Sequence, residues 1–324
     1  MVGKLIIDGV DAYSEYGVFV EQYGYKSLIQ MPQFKNVTAT EWDEYDGEEP
    51  DLLCPLLGSK TFSIMFCIVS IDNAGGLYEL LSNKAYHVFN FIELGRSYKL
   101  RLVSTPSFDS FVRSGKMTLN FADDFPPVVI TPETDINKLD QYNIHLQETP
   151  MEQAPAGFKQ KGYLIDNVDL SMYGVYVVDG TIDNINKAPE IRSKLKIDTG
   201  NRAGLMYDDK IVHYKAKDTE LNLFIIADGM KDFWKRWYGL FTAILKPDKR
   251  VLYVDLKSED YECYYKSNNV SRFDILPNGK VWCEFSVTMR FINNRPIGNN
   301  IILSTEDGYA VITEPEESEI VILV

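Results

Sequence analysis

The sequence predicts a mainly β (α+β) protein made of two tandem copies of one β-sandwich or barrel unit, each copy flanked by one helix. Three observations carry this. The stretch Ile7-Asp8-Gly9-Val10-Asp11 followed by Tyr16-Gly17-Val18 occurs again as Ile165-Asp166-Asn167-Val168-Asp169 followed by Tyr173-Gly174-Val175, and a repeat fixes the architecture before any motif does. Apolar and polar residues alternate in short runs bounded by turn residues, the period of half-buried strands. Each half also holds one segment with apolar residues at helical spacing.

The elements follow in order. Each opening strand is followed by Thr61 to Val69 in the first half and Thr219 to Ala227 in the second. A separation of 158 (8 to 166, 61 to 219) sets Phe66 over Phe224 and Ile68 over Ile226. Helices are expected at Gly76 to Ala85 and at Met230 to Phe241, where spacings of three and four put an apolar stripe on one face. Each half then closes in strands. The first has Ser97 to Val103, then Phe108 to Met117 with a turn at Ser114-Gly115, then Thr118 to Phe121. The second has Arg250 to Leu256, Tyr261 to Tyr265, and Val281 to Phe291 after Asn278-Gly279, a strong hairpin signal.

These elements divide the chain into a first β unit at 1–127, a polar, proline-bearing linker at 128–160 with a short strand at Val128 to Ile130, a second unit at 161–296 and a strand extension at 297–324. The extension is too small for its own core and is expected to add strands to its own body or to a neighbour. Thr40 to Pro55 carries seven acids and reads as an acidic protruding loop, with Asp198 to Lys210 in its place in the second half. Solvated loops, or a pair of contact surfaces, are the two readings.

At 324 residues the chain suits about two domains. Its 45% hydrophobic, 13% aromatic and 25% charged residues are enough for two packed cores. A formal charge of −14 argues against ordinary nucleic-acid recognition, which needs basic surfaces. No run of 18 or more apolar residues and no signal peptide is read from the sequence, so neither a membrane span nor export is expected. The four cysteines, Cys54, Cys67, Cys263 and Cys283, sit in apolar stretches without C-x-x-C spacing; buried free thiols are expected rather than zinc.

Chemistry is thinly supplied. The three histidines, His87, His145 and His213, lie in no zinc or triad motif, and His87 is expected to be a packed or interfacial residue. No Walker, dinucleotide or nucleophile-elbow pattern occurs. Asp123-Asp124 and Asp208-Asp209 are expected to be solvated turn acids. No catalytic residue, cofactor or metal is therefore expected. The repeated Asp11 and Asp169 are either turn residues bonded to nearby amides or interface acids. Gly17 and Gly174 serve a backbone conformation or close approach that a side chain would block. Trp234 and Trp237, three apart, read as core and half-buried face, with burial against another subunit as the alternative.

The I-x-G-x-D strand, the Y-G-V that follows, the central strand, the single helix and the closing turn, in tandem over about 1–125 and 161–295, resemble the tail-tube-like domain of phage tail proteins, especially distal tail proteins and baseplate hubs. The resemblance implies a non-enzymatic part of a phage or prophage-derived tail tip, in the virion tail and made in the bacterial host cytoplasm. It implies assembly with itself into a ring, a trimer with pseudo-six-fold symmetry or a hexamer, beside tube, tape-measure and baseplate proteins, with DNA passing unbound and no membrane. An acidic lumen would repel phosphates and let DNA slide. Unlike distal tail proteins, the chain shows no galectin-like second domain. The alternative is a carbohydrate- or receptor-binding β-sandwich in which Trp42, Tyr45 and Trp282 stack on sugars.

Overall fold

Two antiparallel seven-stranded sheets with the same strand order form the body of the chain, so the protein is mainly β. The structure, a computed structural model, describes residues 2–21, 24–35, 37–69, 71–111, 114–130, 134–146, 162–193, 196–198, 201, 203–207 and 212–293, and the strand residues 303–304, 310–313 and 320–322. The first sheet holds β1 (Leu5–Ile7), β2 (Val10–Asp11), β3 (Val18–Val20), β4 (Lys60–Ile68), β5 (His87–Phe91), β6 (Arg96–Phe111) and β7 (Ser114–Asp123). The second holds β8 (Tyr163–Ile165), β9 (Val168–Asp169), β10 (Tyr176–Val177), β11 (Lys217–Ala227), β12 (Arg250–Val254), β13 (Glu259–Ile275) and β14 (Val281–Phe291). The order is β2-β1-β5-β6-β7-β4-β3 in the first and β9-β8-β12-β13-β14-β11-β10 in the second.

Local chemistry explains the matching starts. Asp8-Gly9 (φ 50° and 87°) and Asp166-Asn167 (49° and 66°) make two-residue turns with both central residues left-handed, as a type I′ hairpin requires. One helical turn follows in each unit. It is α-helical in the first, α1 (Ala12–Tyr16), and a 3₁₀ turn in the second, Leu170–Tyr173. The 3₁₀ turn is tighter, and the second unit uses one residue fewer there, so the separation drops from 158 (8 to 166) to 157 (17 to 174, 60 to 217).

That step corrects the alignment of the central strands. Phe62, Ile64, Phe66 and Ile68 of β4 are buried, as are Thr219, Leu221, Leu223, Ile225 and Ala227 of β11. Phe66 therefore corresponds to Leu223 and Ile68 to Ile225; Phe224 and Ile226 lie on the outer face, because a one-residue slip turns every side chain over. Phe121 of β7 meets Phe66 and Phe89 edge-on at 6.5 and 5.0 Å. Fully burying one such ring contributes about 1.5–3 kcal/mol.

The closing strands are longer than the sequence suggests. β6 runs unbroken from Arg96 to Phe111, through Pro106, so the expected break after Val103 and the turn at Ser114-Gly115 are corrected. Its register shifts between Leu102 and Ser104 and again before Ser107, and β5 flanks only Arg96 to Leu100. Pro106 thus sits on an edge, where its missing N–H costs no ladder bond. β13 shifts at the equivalent place, between Tyr265 and Ser267, and its hairpin turns at Gly279 with φ 81°.

Long helices α3 (Ile71–Ser82) and α5 (Met230–Ile244) follow the central strands. The α5 residues Phe233, Trp237 and Phe241 pack on Phe273, Phe285 and Tyr265 at 5.3, 4.8 and 5.9 Å. These are the one long helix expected in each unit; short helices α2 (Lys26–Ile29) and α4 (Thr181–Asn186), too brief for a period to show, add to them. In the linker, Val128–Val129 pairs in parallel with His145–Leu146; residues 147–161 lie outside the described residues. Leu303–Ser304, Ala310–Thr313 and Ile320–Ile322 form a three-stranded sheet of their own, so among the described residues the extension adds no strand to either body sheet.

Candidate functional site

The repeated opening residues fix two equivalent corners. Asp11 begins α1 with its carboxylate accepting from Ser14 N at 2.7 Å and from Gly3 N. Asp169 accepts from Ser171 N at 2.8 Å and Gly162 N at 3.2 Å. Both are N-cap arrangements that satisfy amides the first turn leaves over. Burial opposes the Asp11 charge, but these amide bonds outweigh it and hold the carboxyl below its usual range. Gly17 and Gly174 end the turns at φ 64° and 68°, a left-handed cap that glycine adopts without strain. A side chain at Gly174 would also strike Arg236.

Asp8 and Asp166 fasten each turn to the next strand. Asp8 Oδ1 accepts from Val88 N at 2.9 Å and Oδ2 meets His87 Nδ1 at 2.6 Å. Asp166 Oδ1 accepts from Val251 N at 3.0 Å and Oδ2 from Arg250 Nη1 at 2.5 Å. Burial works against the Asp8 charge, yet Val88 N–H, His87 and Lys84 hold its pKa down. His87 is fully buried, a packed residue as expected.

Each unit also carries an inward-turned lysine that the sequence reading missed, Lys217 buried and Lys60 half-buried. Lys60 donates to Leu28 O and Gln30 O at 2.8 and 2.7 Å, and Lys217 to Ile185 O and Lys187 O at 2.7 and 2.5 Å. Each ammonium thus closes the end of a short helix, where carbonyls are left over and a cation is favoured. Burial pushes the pKa of Lys60 down to about 8 against the pull of Asp123, and burial with Lys257 and Lys187 brings Lys217 to about 8. Lysines at the starts of two strands, 60 and 217, were the available signal.

The two units meet along a seam built chiefly from first-unit loops and second-unit strands. Met31 N donates to Asn268 Oδ1 at 2.9 Å, Gln30 Nε2 to Asn269 Oδ1 at 2.9 Å, and Phe34 meets Tyr265 edge-on at 5.6 Å. The acidic loop docks here, which corrects its reading as a protrusion. Glu48 accepts from Arg290 Nη2 at 2.9 Å and Nε at 3.2 Å, and from Tyr264 OH at 2.8 Å. Arg192 reaches Glu41 Oε2 at 2.9 Å and Gly47 O at 2.6 Å. The hydrogen bond to Glu48 raises the Arg290 pKa; burial, then the bond to Glu48, raises that of Tyr264. On the other side Trp234 Nε1 donates to Leu94 O at 2.7 Å and Arg96 stacks on Trp234 and Tyr238 at 5.1 and 5.0 Å. Trp234 and Trp237 are both buried, Trp234 against the first unit of its own chain.

The remaining candidates separate. Asp123 and Asp124 are not solvated turn acids: Asp123 is buried beside Lys60, its pKa raised by burial, and Asp124 pairs with Arg101 at 2.9 Å and accepts from Tyr86 OH at 2.9 Å. Asp208-Asp209 lies outside the described residues. Cys263 and Cys283 are buried thiols whose pKa burial pushes up, whereas Cys54 is exposed and Cys67 half-buried, which corrects the expectation for those two. Trp42 and Tyr45 are exposed, but Trp282 is half-buried against Phe224 at 4.5 Å with Nε1 on Glu284. Among the described residues no three His, Cys, Asp or Glu side chains gather as a metal site, and no helix is long and apolar enough to cross a membrane.

No family model matches the chain, and no curated protein matches its sequence. Among solved structures, the crystal structure of the Dit protein of phage SPP1, described as a paradigm of the hub adsorption apparatus in phages infecting Gram-positive hosts, aligns at 10% identity with a TM-score of 0.29, over 88% of this chain and 97% of that one. A score of that size is below what defines a shared fold.

Proposed function

We propose that this chain is a non-enzymatic structural component of a phage or prophage-derived tail tip that assembles with copies of itself into a ring through which DNA passes. The observation that carries this reading is the duplication: one chain holds two sheets of identical strand order, packed so that the first unit's loops grip the second unit's strands. A unit that binds its own successor is a building block for rotational assembly, and three chains of two units give six equivalent positions. The tail-tube-like resemblance of the opening residues supplies the setting, and the charge of −14 suits a lumen that repels DNA phosphates. The half-buried carboxylates and buried histidine at the repeated corners serve turns and strand pairing, which supports a structural role.

A sugar-binding reading retains one specific observation, the exposed Trp42 and Tyr45 at either end of one turn of the docked loop, Tyr45 N donating to Trp42 O at 3.3 Å. Gold-labelled antibodies against the chain, applied to particles from the phage or induced lysogen, decide between them. Label at the tail tip is expected. Particles without label, together with signal on a glycan array, would replace the structural reading with the sugar-binding one.

A further inference from the structure

Several first-unit residues at the seam have identifiable counterparts in the second unit, and those counterparts are exposed. The α2 end in the first unit, Gln30-Met31-Pro32, corresponds to Lys187-Ala188-Pro189 after α4. Lys60 and Lys217 bond to the matching carbonyls, Gln30 O and Lys187 O, and Gly58 N to Gln33 O recurs as Lys215 N to Glu190 O, both at 2.9 Å. Ile29, Met31 and Pro32 are buried at the seam, whereas Asn186, Lys187 and Ala188 are exposed.

The receiving side shows the same contrast. Ser107 pairs with Thr118, which lies opposite Met65; Asn269 pairs with Ser286, which lies opposite Asn222. Met65 and Asn222 correspond in the register that joins Lys60 to Lys217, so Ser107 of β6 stands where Asn269 of β13 receives Gln30. Tyr265 and Val270 of β13 are buried, but β6 is exposed at every position from Val103 to Ser110, and among the described residues no strand pairs with its outer edge. Val103 and Phe108 are 49% and 43% exposed there. An unpaired edge carrying apolar side chains is a surface that calls for a partner.

The docked loop repeats the pattern. Gly47 and Gly204 share one conformation, φ 79° and 85°, but Gly47 packs directly on Ile292 O while no described residue lies within 4 Å of where a Cβ at Gly204 would sit. Leu205 and Met206 beside it are 51% and 46% exposed, where Glu48 is buried.

We propose that the outer segment of β6, Val103 to Ser110, is the docking surface for a second copy of this chain, which presents the Asn186-to-Ala188 end of its second unit, so that the seam inside one chain is repeated between chains. The occupant follows from the chain itself: the filled site receives the α2 end of the other unit of the same chain, and the matching end of the second unit, Asn186 to Ala188, is exposed. The contact is head-to-tail, and such a contact closes into a ring when its rotation permits. The inference rests on the structural reading above and adds the surface through which assembly occurs.

A cysteine pair tests it. S107C and K187C occupy the positions equivalent to Asn269 and Gln30, and a Cys54→Ser, Cys67→Ser background removes the thiols that are not buried. Sedimentation over a concentration series first establishes whether the chain self-associates; mild oxidation then reads the contact. Covalent oligomers beyond the dimer are expected only when both new cysteines are present. Oligomers that sediment but do not cross-link would overturn this surface and leave the structural reading standing; a chain that stays monomeric throughout would overturn both. As a second measurement, Phe108→Glu at this exposed position should weaken self-association by about tenfold or more with an unchanged thermal midpoint; unaltered association would also overturn the surface.

Discussion

Glu48 and Arg290, 242 positions apart, form a two-pronged ion pair that fastens the first unit's acidic loop to the second unit's sheet. Glu48 is buried and also accepts from Tyr264, so the pair is the polar centre of the seam. Glu48→Ala should leave Arg290, among the described residues, with Asp218 as its acidic partner, 3.1 Å away, and a cost of about 2–4 kcal/mol is expected, between that of an unpartnered buried group and that of a broken buried pair. Urea unfolding reads it, and a double-mutant cycle with Tyr264→Phe should show coupling. Additive effects would mean that the three groups do not act together.

Gly47 and Gly204 make a matched test of docking. Both are left-handed, so Ala costs about 1 kcal/mol at either from conformation alone. At Gly47 a Cβ would also overlap Ile292 O, so Gly47→Ala should cost clearly more than Gly204→Ala in thermal unfolding of the monomer. Equal losses would place the first loop away from the second unit.

The corners should behave as caps. Asp11→Ala and Asp169→Ala are each expected to cost about 1 kcal/mol, additively, since they cap separate turns. Asp11→Asn should restore most of the loss because an amide oxygen still accepts from Ser14 N. A lack of recovery in Asp11→Asn would show that charge, and so an interface role, matters more than the cap.

Lys60 gives a pH signature. Its folded pKa is depressed from 10.5 to about 8, so between about pH 8 and 10.5 the unfolded chain binds more protons than the folded one. Stability attributable to Lys60 should therefore rise with pH through that window and be flat below it, with a full span of about 3 kcal/mol. Buried tyrosines oppose this above about pH 10, so the readout is the difference between wild type and Lys60→Met by denaturant unfolding. A difference that does not change from pH 7.5 to 9.5 would mean the ammonium is not held in the burial described.

What the sequence made legible is what the backbone itself demands. Asp8-Gly9 and Asp166-Asn167 recur because two left-handed residues are needed there, and Gly17 and Gly174 because each turn ends left-handed. The strand alternation around Phe66 and Leu223 was visible, and so was the clue to its phase: Tyr16-Gly17-Val18 and Tyr173-Gly174-Val175 stand 157 apart, one fewer than Asp11 and Asp169, where an α turn gives way to a 3₁₀ turn. The seam, by contrast, was illegible. Glu48 finds Tyr264 and Arg290 more than two hundred positions away, so an acid-rich loop looks solvated until its partners are placed. Lys60 and Lys217 were hidden because lysine is read as surface, although Lys217 is buried and Lys60 half-buried against the helix ends they close.

The most direct test of the central claim is imaging of the purified chain by negative stain over a concentration series, with class averages of the largest particles. Rings with a central hole and six similar lobes, built from three chains, are expected, because each chain contributes two equivalent units. Monomers or compact dimers without a hole at every concentration would contradict the ring.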